Sequence, residues 1–266
     1  MKILAILCCG LSLVSGLAAE SNADQVKTEQ AVDYTFVPTA VNIDINTRSY
    51  TFETKPRLAE VLAPIALEQD WYWPGSKLYR LDNPDGQVSA PEQLRSTVLQ
   101  QLHAFSMSAE PAVQIELMAL RYQVASWTLA TRVLIPINYD LARAQAAFNP
   151  RFDAGAYKLQ LVERPEQVHF WGAVTQRVTI PHGGATAIAD YMAAIERSAA
   201  ADGSTVYVIQ PDGTVTKAGV ASWNRQHIEA MPGAEVFIPF ATEWFGVDID
   251  SLNQNLLALA LYRVAQ

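Results

Sequence analysis

Cysteine is nearly absent from this chain. Its 266 residues hold only Cys8 and Cys9, side by side near the start. Beyond them, disulfide staples, thiolate nucleophiles and cysteine-based metal sites are excluded in one step. Positive charge is also scarce: 19 Lys and Arg face 27 Asp and Glu, a formal net charge of −8. That balance argues against a nucleic-acid binder, which needs a basic stripe to displace counterions, and against docking on an anionic lipid surface. The four histidines, His103, His169, His182 and His227, show neither H-x-H nor H-E-x-x-H spacing, so neither a metal site nor a cofactor is expected. No Gly-x-Ser-x-Gly elbow occurs. Gly183-Gly184 lacks the phosphate-loop pattern with its Lys and reads as a tight turn before a helix.

Long apolar runs are missing too. Met1-Lys2, a short apolar core and the small-residue exit Gly16-Leu17-Ala18 read as a secretory signal peptide over residues 1–18. That core is shorter than the roughly 20 residues a membrane-spanning helix needs, and nothing downstream approaches that length. Lipidation at Cys8 or Cys9 is rejected, because too little chain precedes them and Ile6-Leu7 are not small. The expected product is exported and free of cysteine. Half of the residues are hydrophobic, the composition of a globular protein.

A polar leader over 19–35 gives way to a repeat. Val41-Asn42-Ile43-Asp44-Ile45 and Ser49-Tyr50-Thr51-Phe52 alternate at period two around a turn, a hairpin signature. Leu58, Val61, Leu62 and Ile65 then share one helix face, with Pro56 expected in the first turn. A strand at Leu78–Leu81 leads to the turn Asn83-Pro84-Asp85-Gly86. The order recurs at Val168–Trp171, Arg177–Ile180, Ala187–Met192, Thr205–Ile209 and Pro211-Asp212-Gly213. The interval from Val41 to Pro84 equals that from Val168 to Pro211, 43 positions. Each copy closes on a Gly turn feeding a strand, at Gly155 and Gly233. Strand, strand, helix, strand, turn, strand predicts an α+β chain of two β-grasp modules, at 36–165 and 166–242. The first copy carries an insertion at about 90–128. There Leu94, Val98, Leu102 and Phe105, and on the return Ile115, Met118, Tyr122 and Trp127, are spaced for a buried helical hairpin. Residues 243–266 predict an amphipathic helix capped by Asp250 or Ser251. Leu252, Leu256, Leu259 and Arg263 lie along one line of it. It either packs back on a module or engages a partner.

For chemistry, aromatics are the better lead. Trp71, Tyr72 and Trp73 precede Pro74-Gly75 in a loop, where exposed rings stack on sugar faces and buried ones plug a core. Trp223, Asn224, Arg225 and His227 mix one ring with hydrogen-bonding groups; the alternative is a rigid corner in which Arg225 bonds backbone carbonyls. Arg132, at the return from the hairpin, is positioned to pair with an anionic sugar or a buried acid. Glycosidases use two carboxylates flanking the bond. Asp248 and Asp250 lie close together but just ahead of a helix, where capping is their expected role.

These residues carry a resemblance. Lys55-Pro56-Arg57-Leu58-Ala59-Glu60-Val61-Leu62 with Trp71-Tyr72-Trp73-Pro74-Gly75, and Trp223-Asn224-Arg225-Gln226-His227 with Met231-Pro232-Gly233, resemble the GfcC-like capsule-biosynthesis family over nearly the whole mature chain. The resemblance implies a periplasmic protein with two β-grasp modules, a hairpin insertion and a C-terminal amphipathic helix. It also implies likeness to the soluble-ligand-binding modules of outer-membrane polysaccharide exporters, and no enzymatic activity. The expected partners are a polysaccharide or outer-membrane polysaccharide-export proteins. The alternative function is a polysaccharide-modifying enzyme of the same pathway.

Overall fold

Two five-stranded sheets of identical topology organise the computed structural model, which describes residues 40–82, 86, 88–246 and 248–264. The expected signal peptide and leader, and most of the Asn83-Pro84-Asp85-Gly86 turn, lie outside those residues. The first sheet uses β1 (Val41–Ile45), β2 (Arg48–Phe52), β3 (Lys77–Arg80), β4 (Thr131–Val133) and β5 (Gly155–Gln160), in the order β2-β1-β5-β3-β4. The second uses β6 (Gln167–Gly172), β7 (Val178–Pro181), β8 (Thr205–Ile209), β9 (Val215–Gly219) and β10 (Glu235–Ile238), in the order β7-β6-β10-β8-β9. In each, the first and last strands pair in parallel at the centre, Val41 beside Gly155 and Phe170 beside Val236. All other pairings are antiparallel. A central parallel pair reached through a hairpin and one crossing helix is the β-grasp arrangement that the repeat predicts.

Local chemistry explains the crossings. In β1, Val41, Ile43 and Ile45 alternate inward and are wholly buried. They lie in one core with Leu58, Val61 and Leu62 of α1 (Leu58–Leu62). This helix is shorter than its apolar spacing predicts; Ile65 is buried from the turn that follows. Pro56 precedes the cap residue Arg57 instead of entering the first turn, and its carbonyl accepts the Phe152 N–H at 2.9 Å. The second module repeats the crossing with α5 (Ile188–Tyr191), where Ile188 and Tyr191 are buried and Tyr191 meets Phe170 with ring centroids 5.8 Å apart.

The modules differ in what joins the third and fourth strands. In the second it is the turn at Pro211-Asp212-Gly213. In the first it is a hairpin of α2 (Ala90–Ser108) and α3 (Pro111–Ala125). Its inner face corrects the sequence expectation. Val98 and Leu102 of α2 are buried as expected, but α3 turns Val113, Leu117, Leu120 and Val124 inward. Ile115 and Tyr122 are 72% and 66% exposed. Both stripes have helical spacing, so periodicity alone does not decide between them; Trp127, just beyond the helix, is buried as predicted.

After the short α4 (Tyr139–Ala144) and α6 (Thr242–Phe245), the last helix among the described residues is α7 (Ile249–Leu261). This helix packs internally, contacting α2, with Leu252, Leu256 and Leu259 fully buried. Asn253 holds both backbone groups of Phe240: its Oδ1 accepts the N–H at 3.0 Å and its Nδ2 donates to the carbonyl at 2.9 Å. Beyond the helix, Val264 N–H donates to the Thr128 carbonyl at 2.9 Å and Ala130 N–H to that of Tyr262 at 3.0 Å. Arg263 therefore lies past the helix, in an extended bridge with Leu129. Leu256→Ala should cost about 2–5 kcal/mol of stability through the cavity it opens. Ile115→Ala should cost less than about 0.5 kcal/mol. Urea unfolding of the two variants checks the assignment of faces, and the reverse order contradicts it.

Candidate functional site

The residues singled out in the sequence do not converge on one place. Trp71 is half-buried, packs on the first core and donates its indole N–H to the Ile65 carbonyl at 2.9 Å. Tyr72 is fixed by its N–H to the Val162 carbonyl at 2.8 Å. Its ring seats on Gly75, where a Cβ would come within 2.8 Å of it. Burial pushes the Tyr72 hydroxyl above its ordinary value. Both rings thus do structural work. Trp73 differs: it packs on the same core with one side and walls a groove with the other.

The corner at 221–224 is separate. Trp223 is 79% exposed. The corner is rigid, but through Asn224 and Gln226. Asn224 Oδ1 accepts the Ala221 N–H at 3.0 Å and its Nδ2 donates to the Ser204 carbonyl at 3.0 Å; Gln226 Oε1 accepts the Gly219 N–H at 3.1 Å. Among the described residues Arg225 bonds no backbone carbonyl and instead pairs with the Asp190 carboxylate, while His227 Nε2 meets Glu229 at 2.9 Å. This corner follows β9, whereas the Pro211–Gly213 turn precedes it. The five residues of β9 put about 15 Å between them at the usual strand rise.

Arg132 lies at the module junction. The expected anionic partner is replaced by a backbone one: its Nη2 donates to the Pro211 carbonyl at 2.6 Å. Burial lowers the pKa of this guanidinium. Gly213 is required beneath it. Its φ is +98°, and a Cβ there would come within 2.9 Å of Leu134 and 3.3 Å of the Arg132 guanidinium.

This contact closes a groove of about 520 Å³. One wall is Trp73 with the segment Leu134-Ile135-Pro136-Ile137; the other is the Asp212–Thr214 turn with Met231, from the second module. Leu134 is 62% exposed along it. The rim is ordered: Asn138 caps α4 by accepting the Leu141 N–H at 2.9 Å, and Asp212 accepts the Thr214 N–H at 2.8 Å. Asp212 is the sole carboxylate lining the groove among the described residues.

Behind the groove lies a buried polar cluster that sequence reasoning missed. Tyr79, fully buried, donates its hydroxyl to the Arg263 carbonyl at 2.7 Å, and burial pushes that hydroxyl up to about 12. The Arg263 guanidinium pairs with Glu235 of β10 and lies 5.2 Å from the Trp127 ring centroid. Lys77, two residues before Tyr79 on the same strand face, is pulled down to about 8. Desolvation is the main cause, Arg132 and Arg263 push the same way, and Glu235 opposes them. The available signal was the pair Lys77 and Tyr79 at period two, opposite the core residue Leu78; it reads as an ordinary solvent face until another module covers it.

Among the described residues no three His, Cys, Asp or Glu side chains gather to hold a metal, and no helix is long and apolar enough to cross a membrane. A family match spans both β-grasp-like modules of this chain. The chain belongs to the GfcC capsule-biosynthesis family: residues 38–164 match its N-terminal model and residues 176–265 its C-terminal model. It is 27% identical over 209 residues to the uncharacterized protein YjbG of Escherichia coli (strain K12), covering 79% of this chain and 83% of that protein.

The lowered Lys77 value carries a signed consequence. Between about 8 and the ordinary 10.5 the unfolded chain binds this proton more tightly. The site's contribution to stability therefore rises with pH across that window, and the desolvation penalty is in full force below it. Relative to Lys77→Met, the wild type should gain stability from pH 7 to pH 10 in urea unfolding. A flat or falling difference contradicts the burial of that charge.

Proposed function

We propose that this protein is an exported, non-catalytic accessory protein of capsule or exopolysaccharide assembly. In this reading it acts in the periplasm and holds a stretch of polysaccharide in the groove between its modules. Family membership supports the pathway. The observation that carries the binding mode is the groove itself: one indole and a Leu-Ile-Pro-Ile wall face a rigid polar turn. Aromatic and aliphatic surface receives the C–H faces of sugar rings, and the flanking Asn138, Ser76 and Thr214 serve the hydroxyls. A glycosidase would place two carboxylates across the bond. Among the described residues the one acid lining the groove, Asp212, is occupied in its own turn, which favours holding over cutting. Outer-membrane polysaccharide-export proteins are the partners this reading implies.

Electrophoresis through gels containing the source strain's exopolysaccharide tests it. The wild type should be retarded; Trp73→Ala should lose most of that retardation with its circular dichroism intact, and Trp223→Ala should keep it. Identical migration with and without polymer contradicts the reading. Shortening of the polymer on incubation would instead make the protein an enzyme. Capture of an export component that is indifferent to Trp73→Ala would make the groove irrelevant.

A further inference from the structure

A second pocket, of about 330 Å³, opens where the end of the inserted hairpin meets the second sheet, and it shares no lining residue with the Trp73 groove. Its size lies in the range of small-ligand sites. Gln123, Trp127 and Thr128 come from the end of α3 and the segment after it. His169 comes from β6, Arg177 from just before β7, and Arg263 from the C-terminal bridge. We propose that this pocket binds an oxyanion, the carboxylate or phosphate of a charged sugar.

Three observations converge on it. The first is charge. In a chain of net charge −8, two arginines line one pocket, and Lys77 and Arg132 act in the polar cluster to which its Arg263 also belongs. Asp212 acts on Arg132 and is held in its own turn, while the carboxylate that acts on His169 and Lys77 is Glu235. It is already committed to Arg263. Arg177 is exposed and makes no ion pair among the described residues. A local excess of cations in a partly desolvated site calls for an anion. The second is an unused donor: the Gln123 side-chain nitrogen is buried without a hydrogen-bond partner. A buried donor left in this state calls for an explanation, and a bound acceptor supplies one. The third is orientation. His169 Nδ1 is engaged by the Thr179 hydroxyl at 3.1 Å. Trp127 lies beneath the Arg263 guanidinium, a flat apolar floor beside the cations. Burial holds the His169 imidazole below its ordinary value, so near neutral pH it is mostly uncharged and the two arginines carry the attraction.

The test follows the histidine Cε1–H signals of the full chain by NMR while glucuronate, glucose 1-phosphate or glucose is added. His169→Asn assigns the reporting signal. It should move saturably with glucuronate or glucose 1-phosphate and stay in place with glucose. Of the two anions, the one that saturates it at lower concentration names the source of the oxyanion. Arg177→Gln should weaken the response at least about tenfold with an unchanged melting temperature, the expected loss for one charge-assisted contact. Trp73→Ala should leave the response intact, so failure here and failure of the groove reading are distinguishable. No saturable movement with either anion, equal movement with glucose, full affinity in Arg177→Gln, or dependence on Trp73 would each overturn the proposal.

Discussion

Arg263 is the tie on which the rest of the structure depends. Its backbone carbonyl receives the buried Tyr79 hydroxyl from the first sheet, and its guanidinium meets Glu235 in the second. The same guanidinium lies over Trp127, where the inserted hairpin ends. One residue thus touches both modules and the insertion. A partly buried ion pair is a poor source of net stability, because desolvation offsets much of the attraction. Removing either partner would leave an uncompensated charge, a cost that any arrangement of the modules separating Arg263 from Glu235 would carry.

The observed arrangement shows how one repeat acquires two roles. Both sheets bury their α-facing side under a short crossing helix. The other face of the second sheet carries Trp171 and Phe237, with ring centroids 4.7 Å apart, and Trp171 meets Trp127 at 5.5 Å. The hairpin α2–α3 and the terminal α7 join that sheet in one hydrophobic cluster. An insertion in the first module therefore completes the core of the second. The short turn that the second module keeps in the corresponding place, Pro211-Asp212-Gly213, returns to the first and is held by Arg132. The groove exists because the third-to-fourth-strand connection is long in one copy and short in the other.

Much of this fold was legible because it is local. Alternation at Val41–Ile45 and Val168–Trp171, and the recurring order of strand, strand, helix and strand, carry the module topology almost directly. The terminal helix was legible as amphipathic, but nothing in its pattern says whether a module or a partner covers it; Leu252 and Leu256 settle that inward. The face of α3 was not legible, since Ile115-Met118-Tyr122 competes with Val113-Leu117-Leu120 at the same period. The candidate site was legible only at Trp73 and, as a position without its partner, Arg132. Trp71 and Tyr72 went to packing, and Trp223, Asn224, Arg225 and His227 to a corner at the far end of β9. Lys77, Tyr79, Glu235 and Arg263 meet across long sequence separations, and no spacing rule reaches that far.

Hydrogen–deuterium exchange on the full chain, with and without acidic oligosaccharide from the capsular or exopolysaccharide polymer, addresses the central claim most directly. If the modules hold a glycan between them, amides at 134–138 and 212–214 slow together, although they belong to different modules. Protection confined to 221–227, or no protection at either wall of the groove under saturating oligosaccharide, contradicts it.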